Sequence, residues 1–321
     1  MAEIRETQPM SKTSLIFDCD PGVDDAIALF LAFAAQDEVD LLGVTTVAGN
    51  VAAALTARNA CILREIAGRE DVPVAAGCER PMVRAPIDAG HFHGQSGLGD
   101  LPIFDPRKGV DARHGVDFII DAIMSRPDGT VTVAVTGPMT NLAMAMVKEP
   151  RIVGKLAGIA AMGGARSEGG NITASAEYNI YADPHAAQLV ATSGAPLVMM
   201  GLDVTHQVRA TARHIDAIGA IGGPVSEASL NLFNFMDRTE RAIASGGDAP
   251  QHDLCPIAYL LAPHLFTLRP CRMEVETASP LTSGHTAVEF RLRDGPPPHI
   301  QWAVKADADG IFALLTDCLS R

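Results

Sequence analysis

The sequence predicts an α/β protein with an open, mainly parallel, doubly wound sheet flanked by helices, and three observations carry that expectation. Short apolar runs rich in β-branched residues recur along the chain, each followed by a helix-like stretch, which is the alternation of a parallel sheet. Runs such as Val131-Thr132-Val133-Ala134-Val135 show no apolar-polar alternation, so these strands are expected to be buried on both faces. With 321 residues and 47% hydrophobic content, the chain can bury a core of that size. Only near the C-terminus does the pattern change, to a few short antiparallel strands, within an otherwise Rossmann-like plan.

In chain order, residues 1–13 are polar and predicted to be a flexible N-terminus, and residues 14–321 a single α/β domain. Ser14-Leu15-Ile16-Phe17 is the first buried strand, and Ala26 to Ala35 a helix apolar nearly all round. Leu41 to Val47 is a second strand, followed by helical residues 51–67. Pro73 to Pro86 reads as loop, and Gly90 to Asp100, rich in glycine, histidine and other polar groups, as a mobile active-site loop. Thr130 to Thr136 is the third strand, with Gly137-Pro138-Met139-Thr140 starting the next helix. Leu156 to Met162 and Pro196 to Leu202 complete five parallel strands, with a helix opened by Asp183-Pro184 between them. Helical residues 227–244 precede a glycine-rich break, Ser245 to Asp248, and a further helix at Pro256 to Ala262. Met273 to Val275, Val288 to Phe290 and Trp302 to Val304 are the expected antiparallel strands.

Composition narrows the function. A formal charge of −13 disfavours a nucleic-acid partner, which asks for a basic patch to displace counterions, and suits a neutral or cationic small molecule. No run has the length and freedom from charge of a membrane span, and the N-terminus has no apolar signal region. Six cysteines without paired or CxxC spacing fit reduced thiols and a cytoplasmic location.

The chemistry centres on Asp18-Cys19-Asp20-Pro21-Gly22-Val23-Asp24-Asp25, four carboxylates in eight residues at a βα turn. Carboxylates held this close resist ionising together unless a cation lies among them, and oxygen-only ligands point to calcium or magnesium. A plainer reading has Asp24 and Asp25 capping the following helix, where its dipole favours negative charge. His91 and His93 lack a third nitrogen or sulfur ligand nearby, so contact with substrate suits them better than zinc.

Taken together, DCDPGVDD (18–25), TTVAGN (45–50), GHFHGQSG (90–97), VTGPMTN (135–141), MGG (162–164), AEYN (176–179) and HD (252–253) resemble the calcium-dependent nucleoside hydrolases of the inosine–uridine type. The resemblance implies hydrolysis of the N-glycosidic bond of ribonucleosides to ribose and free base, and a homodimer or homotetramer. It implies Ca²⁺ held by the side chains of Asp20, Asp25 and Asp253 and the backbone carbonyl of Thr136, with Asp20 also the base that activates a calcium-bound water. By the same likeness Asp24, Asn50 and Asn179 hold the ribose 2′- and 3′-hydroxyls, and Asn171 and Glu177 the 5′-hydroxyl. Met162 lies under the ring, while His93 and His252 line the base side, with His252 the proton donor to the leaving base. The loop from Gly163 to Asn171 is one residue longer than the family pattern, and its Arg166 and Glu168 are unusual there. Two alternatives are a haloacid-dehalogenase-like phosphohydrolase, which also starts from a strand ending in Asp-x-Asp, and a non-catalytic calcium or nucleoside-binding protein.

Overall fold

In the computed structural model, residues 12–243, 247–293, 295 and 297–321 are described. The expected flexible N-terminus, apart from residues 12 and 13, and residues 244–246 lie outside them. Nine strands form the sheet: β1 (Thr13–Cys19), β2 (Val39–Thr46), β3 (Val74–Ala76), β4 (Val131–Val135), β5 (Leu156–Met162), β6 (Leu197–Met200), β7 (Phe266–Val275), β8 (Thr286–Glu289) and β9 (Ile300–Ala306). Their order is β3-β2-β1-β4-β5-β6-β9-β7-β8, and every pair from β3 to β9 is parallel. The sequence reading missed β3, whose three residues lie in the stretch taken for loop. The antiparallel strands expected near the C-terminus are there, β7 pairing antiparallel with both β8 and β9, and β9 in addition runs parallel to β6. Strand direction depends on which neighbours a strand finds in space, and the periodicity of a short apolar run carries no such information.

Helices cover both faces. On one side Val23–Ala34, Ala53–Ile66, Leu254–Leu261 and Ala308–Leu319 pack with the long helix Gly223–Ile243 around one apolar core. On the other, Gly115–Met124, Thr140–Lys148 and Pro184–Thr192 enclose a second core with the opposite face of the strands. Val23–Ala34 has eleven buried residues and packs against four of these helices, which is why it is apolar nearly all round. All six cysteines are free.

The order reverses between β1 and β4: from β1 the chain builds outward through β2 and β3, then returns to start β4 on the other side of β1. Ligands of open α/β sheets bind at the carboxyl ends of the strands at such a reversal, where the outgoing loops part and leave a crevice. Asp18 pairs in register with Thr45 of β2 and Val135 of β4. The segments that follow, carrying Asp20, Asn50 and Thr136, therefore leave the sheet side by side.

Candidate active site

The four carboxylates of the first βα turn divide into separate environments. Asp18, still in β1, accepts hydrogen bonds from Thr45 Oγ1 at 2.6 Å and Asn141 Nδ2 at 2.8 Å, which tie it to β2 and to the helix after β4. Burial nevertheless pushes its pKa up to about 7. Asp20 is fully buried; its Oδ2 accepts from the Asn50 backbone N–H at 2.7 Å, and its Oδ1 has no partner. Burial and then the charge of Asp25 raise its pKa well above the usual carboxylate range.

Asp25 accepts from the backbone N–H of Gly22 and the side chains of Asn50 and Thr136, at 2.9, 3.0 and 2.7 Å. Asp25 thus caps the helix, as the plainer reading expected of it and of Asp24. Asp24, Asp25 and Asp253, all buried, offer carboxylate oxygens within 4.8 Å of one another. Asp253 precedes the helix Leu254–Leu261, so this group joins the first turn to a segment late in the chain. Burial first, then mutual repulsion, raises the pKa of Asp24 to about 7 and that of Asp253 well above its usual value. Three buried acids with an unpartnered Asp24 Oδ1, beside an unpartnered Asp20 Oδ1, are an arrangement that a hard divalent cation fits and that water-starved carboxylates alone do not favour. Of the residues expected to ligate the ion, Asp25 and Asp253 belong to this group, Asp24 joins it, and Asp20 lies outside it. The Thr136 carbonyl accepts from Asn179 Nδ2 at 2.6 Å and keeps a second lone pair.

A cavity of about 250 Å³ opens above these acids. Its lining includes Asp24, Asn50, His93, Thr136, Met162, Asn171, Glu177, Asn179, His252 and Asp253, so ten of the twelve residues given a role by the family resemblance meet there, along with His91. Asp20 and Asp25 lie behind this surface. Glu177 is buried and caps the short helix Tyr178–Ala182, accepting from the backbone N–H groups of Asn179, Ile180 and Gly164 at 2.8, 3.1 and 2.9 Å. Asn171 is exposed at the rim, with its Oδ1 accepting from the Tyr178 N–H at 2.9 Å. Met162 contributes its sulfur, 3.3 Å from Asn179 Nδ2.

The histidines differ. His93 is buried and its Nδ1 accepts from the Val23 N–H at 3.2 Å, which puts the proton of the neutral ring on Nε2. Burial and then His91 push its pKa down to about 3. His252 sits 2.7 Å by its Nδ1 from the Thr205 hydroxyl, and burial followed by His206, Arg209 and His93 brings it down to about 3 as well. Gly22 admits this packing, because a Cβ there would lie 2.5 Å from His93 Nδ1 and 2.7 Å from Asn50 Nδ2.

His206, Glu240 and Tyr178 also line the cavity and were not assigned a role from the sequence. A histidine just past a strand end was the only available signal for His206, and nothing in the pattern of the long helix distinguishes Glu240. Among the described residues no lysine or arginine lines the cavity, so a transferred phosphate would find neither there. That counts against the phosphohydrolase alternative.

Comparison with known proteins agrees with this geometry. The model of the inosine-uridine preferring nucleoside hydrolase family matches residues 15–313. The inosine-uridine preferring nucleoside hydrolase of Crithidia fasciculata is 39% identical over 96% of this chain and 97% of its own. A pyrimidine-specific ribonucleoside hydrolase of Escherichia coli is 39% identical over 97% of this chain and 98% of its own. Among solved structures, the purine-preferring ribonucleoside hydrolase from Gardnerella vaginalis superposes with a TM-score of 0.89 at 31% identity, covering 96% of this chain and 98% of that one.

Proposed function

Since the chain belongs to the inosine-uridine preferring nucleoside hydrolase family, we propose that it cleaves the N-glycosidic bond of ribonucleosides with water, with Asp20 as the general base and Ca²⁺ as the cofactor. The observation that carries this reading is the convergence of Asp24, Asp25 and Asp253 beneath a cavity walled by Asn50, Asn179 and Glu177. Asp20, Asp25, Asp253 and the Thr136 carbonyl would hold the ion, with Asp24 close enough to join them or to face the sugar. When bound, calcium supplies a charge that acidifies water and grips vicinal hydroxyls, and its flexible oxygen shell suits this donor set better than the octahedron of magnesium.

The protein's own part follows from where its groups point. Asp20 is a base only when ionised, a form that burial and Asp25 oppose and a cation favours. Its unpartnered Oδ1 is the atom that would take a proton as water attacks C1′ of a ribosyl group with oxocarbenium character. Asp24, Asn50 and Asn179 would bind the 2′- and 3′-hydroxyls, and Glu177 and Asn171 the 5′-hydroxyl. Such remote contacts fix the sugar against the base and can distort it toward its transition state. Met162 would give the ring an apolar floor, and His93 and His252 would border the nucleobase, with His252 the proton donor to the leaving base. Free thiols and charge accord with a cytoplasmic enzyme, the continuous sheet with one domain over residues 14–321, and the family likeness with a homodimer or homotetramer.

A panel of purine and pyrimidine ribonucleosides, with free ribose measured, tests the reading. Ribose release should stop on exhaustive chelation and return with calcium more fully than with magnesium. The absence of ribose from every member of the panel in the presence of calcium would refute it. The 2′-deoxy analogues should be very poor substrates, because a site built to bond a hydroxyl is left with unpaired buried groups when it is missing.

A further inference from the structure

Tyr178 lines the cavity between Glu177 and Asn179, two residues proposed to hold the sugar, and has no part in the site as described so far. Its ring is buried, and its hydroxyl reaches from the segment after β5 to the turn after β2, where it donates to the Gly49 carbonyl at 2.7 Å. A longer contact, 3.5 Å, runs to the Ile87 carbonyl. Gly49 is buried, and among the described residues no other donor reaches its carbonyl. At the other end of the same peptide unit, the Asn50 N–H donates to Asp20 Oδ2 at 2.7 Å.

We propose that Tyr178 is a positioning residue for the general base: by holding the Gly49 carbonyl it fixes the Gly49–Asn50 peptide, whose N–H in turn fixes Asp20. The inference rests on the nucleoside-hydrolase reading and adds to it a group that acts through Asp20. A peptide unit is planar, so its C=O and N–H point in opposite directions, and a partner on one determines where the other points. The flanking peptides have partners of their own: the Gly49 N–H donates to the Val51 carbonyl at 3.2 Å, and the Asn50 carbonyl accepts from the Ala89 N–H at 2.9 Å. The unit between them depends on Tyr178.

Residue 49 is a glycine because a Cβ there would collide with Asp20 Oδ2, and the same lack of a Cβ lets the peptide turn over more easily. Turned over, it would set a carbonyl oxygen against a buried carboxylate and take away that carboxylate's hydrogen bond, both unfavourable. The Tyr178 hydroxyl opposes this rotation, and a donor on the carbonyl also polarises the peptide and strengthens the N–H bond to Asp20. With Oδ2 held in this way, Oδ1 stays the unpartnered atom that would take a proton from the attacking water. Burial first, and then the charge of Asp20, raises the Tyr178 pKa, so the hydroxyl keeps its proton and remains a donor.

The test is Tyr178→Phe, which keeps the ring and removes the donor. At saturating calcium it should lower kcat on inosine, uridine and p-nitrophenyl riboside alike, by about 10-fold or more, with KM within about twofold of the wild type. The third substrate has a leaving group that needs no proton, so an equal loss there places the effect on the water side of the reaction. In the Asp20→Asn background the same change should lower kcat no further, because the residue it acts through can no longer take a proton. A readout independent of turnover is amide exchange in the metal-free protein. The Asn50 N–H should exchange about 10-fold faster in Tyr178→Phe, while the amides of β1 and β4 keep their wild-type rates. A loss confined to the nucleosides, a raised KM at unchanged kcat, losses that multiply in the double variant, or an unmoved Asn50 exchange rate would each overturn the assignment. If the wild type releases ribose from none of the three substrates, the hydrolase reading falls, while the exchange measurement still decides whether Tyr178 holds the peptide at Asp20.

Discussion

At the scale of single residues, the site depends on how little room surrounds Asp20. A Cβ on Gly137 would lie 2.6 Å from its Oδ1, and one on Gly49 would collide with its Oδ2. Gly137→Ala should therefore turn the carboxylate out of place and cut kcat sharply while the melting temperature changes far less. Asp20→Asn should keep an oxygen for the cation and lose the capacity to take a proton. We expect a fall in kcat on the order of 10²–10⁴ with KM nearly unchanged, and a near-normal kcat would move the base elsewhere. The sequence made Asp20, Asp24 and Asp25 legible because acids so close in a turn have few peaceful uses. It could not show that Asp18 is held by Thr45 and Asn141, since that depends on β1 lying between β2 and β4.

Among elements, the strands and helices next to the first turn were readable because each carries its own period and its own boundary residues. Asp183-Pro184 announced a helix start, and the structure gives that aspartate a wider task. Its carboxylate accepts from the Ala186 N–H at 3.1 Å, the Thr140 hydroxyl at 2.7 Å and the Met82 N–H at 2.8 Å, so one buried side chain ties two helices and a loop. Asp183→Ala leaves these three donors unsatisfied and should cost about 2–4 kcal/mol in denaturant unfolding, with kcat of the folded fraction little altered. A loss below about 0.5 kcal/mol would show that water or rearrangement replaces the carboxylate. What escaped the sequence at this scale, β3 and the parallel pairing of β9 with β6, is set by neighbours that local pattern does not name.

For the whole molecule, the acidic cluster sets a balance between protons and cations. Burial lifts Asp18 and Asp24 to about 7 and Asp20, Asp25 and Asp253 upward as well, with repulsion from neighbouring carboxylates adding to it at Asp20, Asp24 and Asp253. Without cation the native state holds more protons than the unfolded chain between about pH 4 and pH 7, so its stability falls as pH rises through that window. A divalent cation bound among them, calcium on the proposed reading, would compete with those protons and stabilise the form it binds. The calcium-induced rise in melting temperature should consequently be larger at pH 8 than at pH 5, and an equal rise at both would mean that the ion binds away from these acids. The reversal of strand order between β1 and β4 also has a consequence in time. Asp24 and Asp25 leave the ribosome early and Asp253 late, so the three cannot converge until most of the chain has emerged and folded. Until then the early carboxylates stay hydrated rather than crowded, and an ion held by all three would be captured at the end of assembly instead of its beginning.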